Sequence, residues 1–194
     1  MAGLGWFEAA RSLEGEHLVF AETLRARAAH WTEHHDTWLG TWNGDGRLVA
    51  GLDIDDEGAN RTLLSVGVHL RGNTLQADEL HNQLSILPEI PTSLAMTTTG
   101  PIEVIANRAA DWFESVLQRP VDRWEWTNRG QVYAYEYVFA DTAEGFSQMF
   151  NKELAPWGLR WRLARRGYVS PKGWVEVRGI GEPDRAIHIR GICS

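Results

Sequence analysis

Apolar residues recur at helical intervals in two parts of the chain and alternate with polar ones in several others. Between Leu13 and Trp31, Phe20, Leu24, Ala28 and Trp31 fall on one helical face, while Glu16, Arg25 and Arg27 can face water. This spacing predicts an amphipathic helix. "TWLGTWNGDGRLVAGLDID" follows, with strand-like flanks around Asn43-Gly44-Asp45-Gly46, residue types that tolerate a positive φ. With the strand-like Arg61–Leu70 stretch, residues 37–70 read as an antiparallel meander. The polar, proline-punctuated stretch 71–91 reads as a connection holding at most a short helix.

"SLAMTTT" is strand-like, and Gly100-Pro101 then opens a second helix, with proline in the first turn where its missing N–H is not needed. Its apolar stripe is Ile102, Ile105, Ala109, Trp112, Phe113 and Val116, and Pro120 ends it. "DRWEWTNRGQVYAYEYVFA" is the strongest hairpin pattern. Trp124 and Trp126 share one face of its first strand, and Tyr133, Tyr135, Tyr137 and Phe139 one face of its second. Phe146, Phe150 and Leu154 suggest a third helix over 142–154. The tail predicts a short helix or extended piece, then strands around Val175 and Ile189.

"RAAHWTE" (27–33) and "RAADWFE" (108–114) agree at five of seven positions, each at the end of a predicted helix leading into a Trp-bearing hairpin. The fold class expected is therefore α+β: antiparallel sheet with two or three packed helices and two similar helix–hairpin units. The division expected is a helix-plus-meander subdomain over 1–91 and a strand–helix–hairpin–helix subdomain with a basic tail over 92–194, forming one compact unit.

Composition changes this picture little. Over 194 residues, 43% hydrophobic and 23% charged side chains are globular values. No apolar run approaches the roughly 20 residues that span a bilayer. The N-terminus lacks the basic and apolar regions of a secretion signal, and Cys193 is the only cysteine, so a cytoplasmic protein without disulfides is expected. Arginine outnumbers lysine 17 to 2, a bias that fits a GC-rich bacterial genome.

Charge adds more. Residues 1–159 carry 11 basic and 23 acidic side chains, whereas residues 160–194 carry 8 basic and 3 acidic. Such asymmetry can mark a partner surface, or a basic tail lying on the protein's own acidic body. A whole-chain charge of −7 argues against a dedicated nucleic-acid binder.

Several motifs invite chemistry. His30-Trp31-Thr32-Glu33-His34 spells H-x-x-E-H, in which two histidines one helical turn apart would hold zinc and the glutamate would activate water, with Glu103 or Glu114 as a third ligand. The second copy of the repeat has Asp111 and Ser115 in place of the histidines, and histidines in a last helical turn also complement the helix dipole. No metal is therefore expected at His30, Glu33 and His34, and no cofactor elsewhere. "DIDDEG" (53–58) opens like a calcium loop, but its twelfth position is Leu64, so an acidic hairpin turn is expected. Glycine-rich phosphate loops and nucleophile elbows are absent.

What stands out is aromatic: ten Trp, four Tyr and six Phe. "PWGLRWRLARRGYVSPKGW" interleaves Trp with Arg, the pairing enriched at interface hot spots. Trp157, Arg160, Trp161, Arg162, Arg165, Arg166 and Trp174 are the expected contacts. The function expected is binding of another macromolecule, a protein, by an accessory, chaperone-like or immunity-type protein. The alternative is a small enzyme or ligand binder with an aromatic pocket, using His69 or His188 with a carboxylate such as Glu136. A nucleic-acid-associated regulator comes third.

Overall fold

A computed structural model describes residues 6–9, 12–31, 36–41, 46–56, 58–81 and 85–191. The chain is α+β and divides into two compact units, Met1–Leu117 and Gln118–Ser194. The boundary thus follows the second helix, where the sequence reading placed it at 91/92. The strand after residue 91 completes the first unit's sheet, and the helix that follows is anchored to that strand.

In the first unit, α1 (Gly15–Ala28) precedes β1 (Thr37–Thr41), β2 (Leu48–Asp56), β3 (Arg61–Arg71), β4 (Thr74–Glu79) and β5 (Met96–Thr99), and α2 (Ile102–Gln118) follows. The strands form an antiparallel sheet in chain order. Most of each expected stripe is buried: Phe20, Leu24 and Ala28 on α1; Ile105, Ala109, Trp112, Phe113 and Val116 on α2; Ile102 is half-buried, as is Trp31, which lies beyond the end of α1. Phe7 joins them, its ring 5.4 Å from Phe113 and 5.9 Å from Trp31. Polar side chains fix α2 in place. Arg108 donates to Thr98 Oγ1 of β5 at 3.0 Å, and Trp112 Nε1 donates to the Leu94 carbonyl at 2.8 Å.

β4 corrects the expectation of a connection over 71–91. "TLQADE" has too few apolar residues to show alternation, although Leu75 and Ala77 are buried. The two-residue turn Gly72-Asn73, with Gly72 at φ 54°, folds the chain back onto β3.

The second unit contains β6 (Val121–Asn128), β7 (Gln131–Phe139), β8 (Glu144–Phe150), α3 (Leu159–Arg165), a 3-10 turn (Val177–Ile180) and β9 (Arg185–Arg190). Its antiparallel sheet runs β8-β7-β6-β9. β8 stands where a third helix was expected. Residues 146, 150 and 154 are an even number of positions apart, so they fit a strand's period of two as well as a helical stripe. Pairing with β7 decides the outcome and sets Phe146 against Phe139 (4.6 Å between ring centres) and Phe150 against Tyr133 (6.2 Å). The expected strand at Val175 is only a bridge to Val169, and β9 holds the other. Trp126, Tyr133, Ala134, Leu159, Leu163, Val175 and Val177 form the core over which α3 lies.

The two echoing segments meet within the first unit. Arg27 donates to Glu114 Oε1 (3.1 Å) and Oε2 (2.6 Å) and to Asp111 (2.8 Å), while Trp31 Nε1 approaches Glu114 Oε1 at 3.4 Å. The arginine of the first copy therefore pairs with the acids of the second.

Candidate interaction surface on the second unit

Only seven residues long, α3 owes its position to burial rather than intrinsic stability. Leu159 and Leu163, four apart, face the core at 7% and 1% exposure. Gly158 sits just before the helix at φ 75°, a left-handed conformation that glycine adopts without steric cost. The chain turns there, leaving Trp157 outside the helix and Trp161 on its outer face. Arg160, Arg162, Arg165 and Arg166 are exposed as well. Trp157 is fully exposed, Trp161 is 62% exposed and Trp174 71% exposed. The Arg165 guanidinium lies 4.7 Å from the centre of the Trp161 ring, a cation–π arrangement. Trp174 ends a small turn closed by Ser170, whose N–H donates to the Trp174 carbonyl and whose Oγ accepts from the Trp174 N–H.

Beside α3 runs an open groove of about 880 Å³, lined among others by Asn128, Arg129, Lys152, Trp157, Arg160 and Trp161. Its far wall comes from the β6–β7 turn and the segment after β8. Asn128 Nδ2 donates to the Leu154 carbonyl at 2.9 Å, and Asn151 Oδ1 accepts from the Glu153 N–H at 2.9 Å, which ties that segment to the hairpin. Arg129 and Lys152 were not among the expected contacts. The sequence held one signal for Arg129: it occupies the first turn position of "NRGQ" at φ 53°, before Gly130 at φ 80°. Hairpin turns of that shape favour Asn, Asp or Gly there. Among the described residues, no carboxylate lies within salt-bridge distance of Arg129, Lys152, Arg160, Arg162 or Arg166. The second unit carries 12 basic and 9 acidic side chains, the first 7 and 17.

The proposed acid–base residues sit elsewhere, each with its own partners. His69 is 6% exposed, with Arg47 Nη1 3.0 Å from Nδ1 and the Ser85 carbonyl 2.8 Å from Nε2. One tautomer satisfies both contacts: Nδ1 accepts and Nε2–H donates. Its ring thus ties Ser85 to β3. His188 is half exposed beside Asp122 (3.1 Å) on the neighbouring strand, with the Gly191 carbonyl at its other nitrogen. Glu136 is 6% exposed on β7, its carboxyl against Gly145, where an added Cβ would lie 2.1 Å from Oε1. Neither the α3 groove nor a smaller apolar cleft of about 510 Å³ at Leu63, Leu80 and Ile86 includes any of the three.

Burial pushes the Glu136 carboxyl above the ordinary glutamate range, with Arg178 pulling it down and Glu176 pushing it up. The folded chain therefore binds this proton more tightly than the unfolded chain does. Stability falls as pH rises from the ordinary carboxylate range through the raised value, and the cost is complete above it. Glu136→Gln is expected to raise the melting temperature at pH 7, with the gain vanishing near pH 4. A difference that does not change with pH would contradict this.

Glu33 and His34 lie outside the described residues, as does Cys193. His30 follows the end of α1. Glu114, nominated as a third metal ligand, is held instead by Arg27 and Trp31. Among the described residues, no group of three or more His, Cys, Asp or Glu side chains is placed to hold a metal ion. In "DIDD" the aspartates lie along β2, where successive side chains point to opposite faces. Asp53 accepts from Ser65 Oγ at 2.6 Å, and Asp56 Oδ1 accepts from the Ala59 N–H in the following turn. Burial pushes the Asp53 carboxyl above the usual range, with Asp55 and Asp36 adding to the effect against the Ser65 hydrogen bond. No helix among the described residues is long and apolar enough to cross a membrane.

Comparisons with protein-family models, with curated proteins and with solved structures give no match.

Proposed function

We propose that this is a non-enzymatic, cytoplasmic bacterial protein that binds a protein partner through the Trp–Arg surface of α3 and its flanking turns. An accessory, chaperone-like or immunity-type role fits such a surface. The observation that carries the reading is the exposure of three indoles within 18 residues, at 100%, 62% and 71%. Tryptophan is large and apolar, and leaving three such rings in water forgoes burial free energy that the fold could have gained. Clustered exposed aromatics accompanied by arginine are the composition of interface hot spots. His69, bonded to Arg47 and Ser85, and His188, beside Asp122, do not border the groove beside α3, so the Trp–Arg surface is argued without them.

Affinity capture from the native host, with identification by mass spectrometry, tests it. Wild-type chain is expected to recover one partner repeatedly, and Trp157→Ala/Trp161→Ala to lose it while melting at the wild-type temperature. Recovery of the same partner by both proteins would overturn the proposal.

A further inference from the structure

The groove beside α3 presents a charge pattern as well as indoles. Arg129 comes from the β6–β7 turn, Lys152 from the segment after β8, and Arg160 from the first turn of α3. Three chain segments thus bring three cations to one concavity. Glu153 is the one carboxylate in its lining. All four are exposed, and among the described residues none of the three cations has a carboxylate within salt-bridge distance. The apolar share of the lining is Trp157, Trp161, Ala155, Pro156, Ala164 and Val169.

Arg129 adds a separate observation. It holds φ 53° in a turn whose next residue, Gly130, is at φ 80°, where Asn or Gly would fit with less strain. A long cationic side chain thus stands at the groove rim in a backbone conformation that favours Asn or Gly. Strain of this kind, once observed, is a pointer to function.

Resting on the partner-binding reading above, we propose that the groove takes an acidic, extended peptide segment of the partner. Carboxylates pair with Arg129, Lys152 and Arg160, and an apolar side chain between them lies against Trp157 and Trp161. Arginine suits this role because its planar guanidinium can bind a carboxylate through two parallel hydrogen bonds. A single-stranded nucleic acid is disfavoured on two counts. Arg165 already covers one face of Trp161, removing a stacking face. The whole chain's net charge of −7 opposes a long polyphosphate more than a short acidic segment.

The test uses the full chain and fluorescence anisotropy with three labelled probes. These are a short peptide alternating glutamate and leucine, the same peptide with glutamine for glutamate, and an oligothymidylate strand. The glutamate peptide is expected to bind at least about tenfold tighter than the glutamine peptide, and to weaken as added salt shortens the screening length. Arg129→Asn/Arg160→Gln should lose that preference by a similar factor. Arg129→Asn alone should weaken binding while raising the melting temperature, because asparagine fits the turn better. Loss of affinity in that variant therefore cannot be blamed on misfolding.

Equal binding of the two peptides, tighter binding of oligothymidylate, or full affinity in the double variant would each overturn the inference. If host capture still required Trp157 and Trp161 while both peptides bound alike, the acidic-segment inference would fall and the partner-binding reading would stand. If the glutamate peptide bound but capture did not need the two tryptophans, the partner-binding reading would fall, and with it the inference that rests on it.

Discussion

Phe113→Ala is expected to cost about 3–5 kcal/mol of folding free energy, measured as a lower denaturant midpoint with little change in slope. Phe113 has no exposed surface, and its ring contacts Phe7 at 5.4 Å and Trp112 at 5.0 Å between centres. The loss has two parts. The ring's transfer free energy disappears, and a cavity remains because the rings around it are held. Trp112 is tied to the Leu94 carbonyl, and Arg25 Nε and Nη2 both donate to the Phe7 carbonyl. Neither neighbour can collapse freely into the space. Folded domains are typically stable by about 5–15 kcal/mol, so this one change removes a large share. A loss below about 1 kcal/mol would mean that the site closes over the missing ring, contrary to the tethers just described.

The same residue shows why much of the architecture was legible beforehand. Phe113 belongs to a stripe whose helical spacing admits no strand, and Pro101 and Pro120 bracket it. The hairpin β6–β7 was equally readable, because alternating tryptophans and tyrosines cannot form one helical face. β4 and β8 were not. "TLQADE" holds only two apolar residues, Leu75 and Ala77, and it is the pairing with β3 and β5, which no local pattern reveals, that makes it a strand. In β8, even spacing satisfied both periods, and only the pairing with β7 separated them.

The candidate site divides in the same way. The α3 arginines and tryptophans adjoin in sequence, so their clustering could be read directly. Arg129 and Lys152 reach the groove from two other chain segments, and only tertiary structure joins them to Arg160. His69 and His188 drew attention as residue types, yet the geometry that decides their role lies in Ser85, Arg47 and Asp122.

Leu163→Ala and Trp161→Ala, two positions apart on one short helix, are expected to separate stability from binding. Leu163 is 1% exposed above Trp126, Tyr133 and Val177, so its truncation should cost about 2–5 kcal/mol. Seven residues of helix cannot hold themselves together in water, so α3 should loosen once this anchor is lost, and partner binding should fall with it. Trp161 is 62% exposed, and among the described residues its one ring contact is the Arg165 guanidinium at 4.7 Å. Its truncation should change stability by less than about 0.5 kcal/mol, as exposed substitutions do, while weakening partner capture at least about tenfold. Denaturant unfolding and capture, measured on both variants, give the comparison. The tertiary packing fixes which outcome belongs to which residue: the leucine holds the platform, and the tryptophan is what the platform presents. Should Trp161→Ala lower stability as much as Leu163→Ala, the indole would be a structural element and the surface would lose its claim to be an interface.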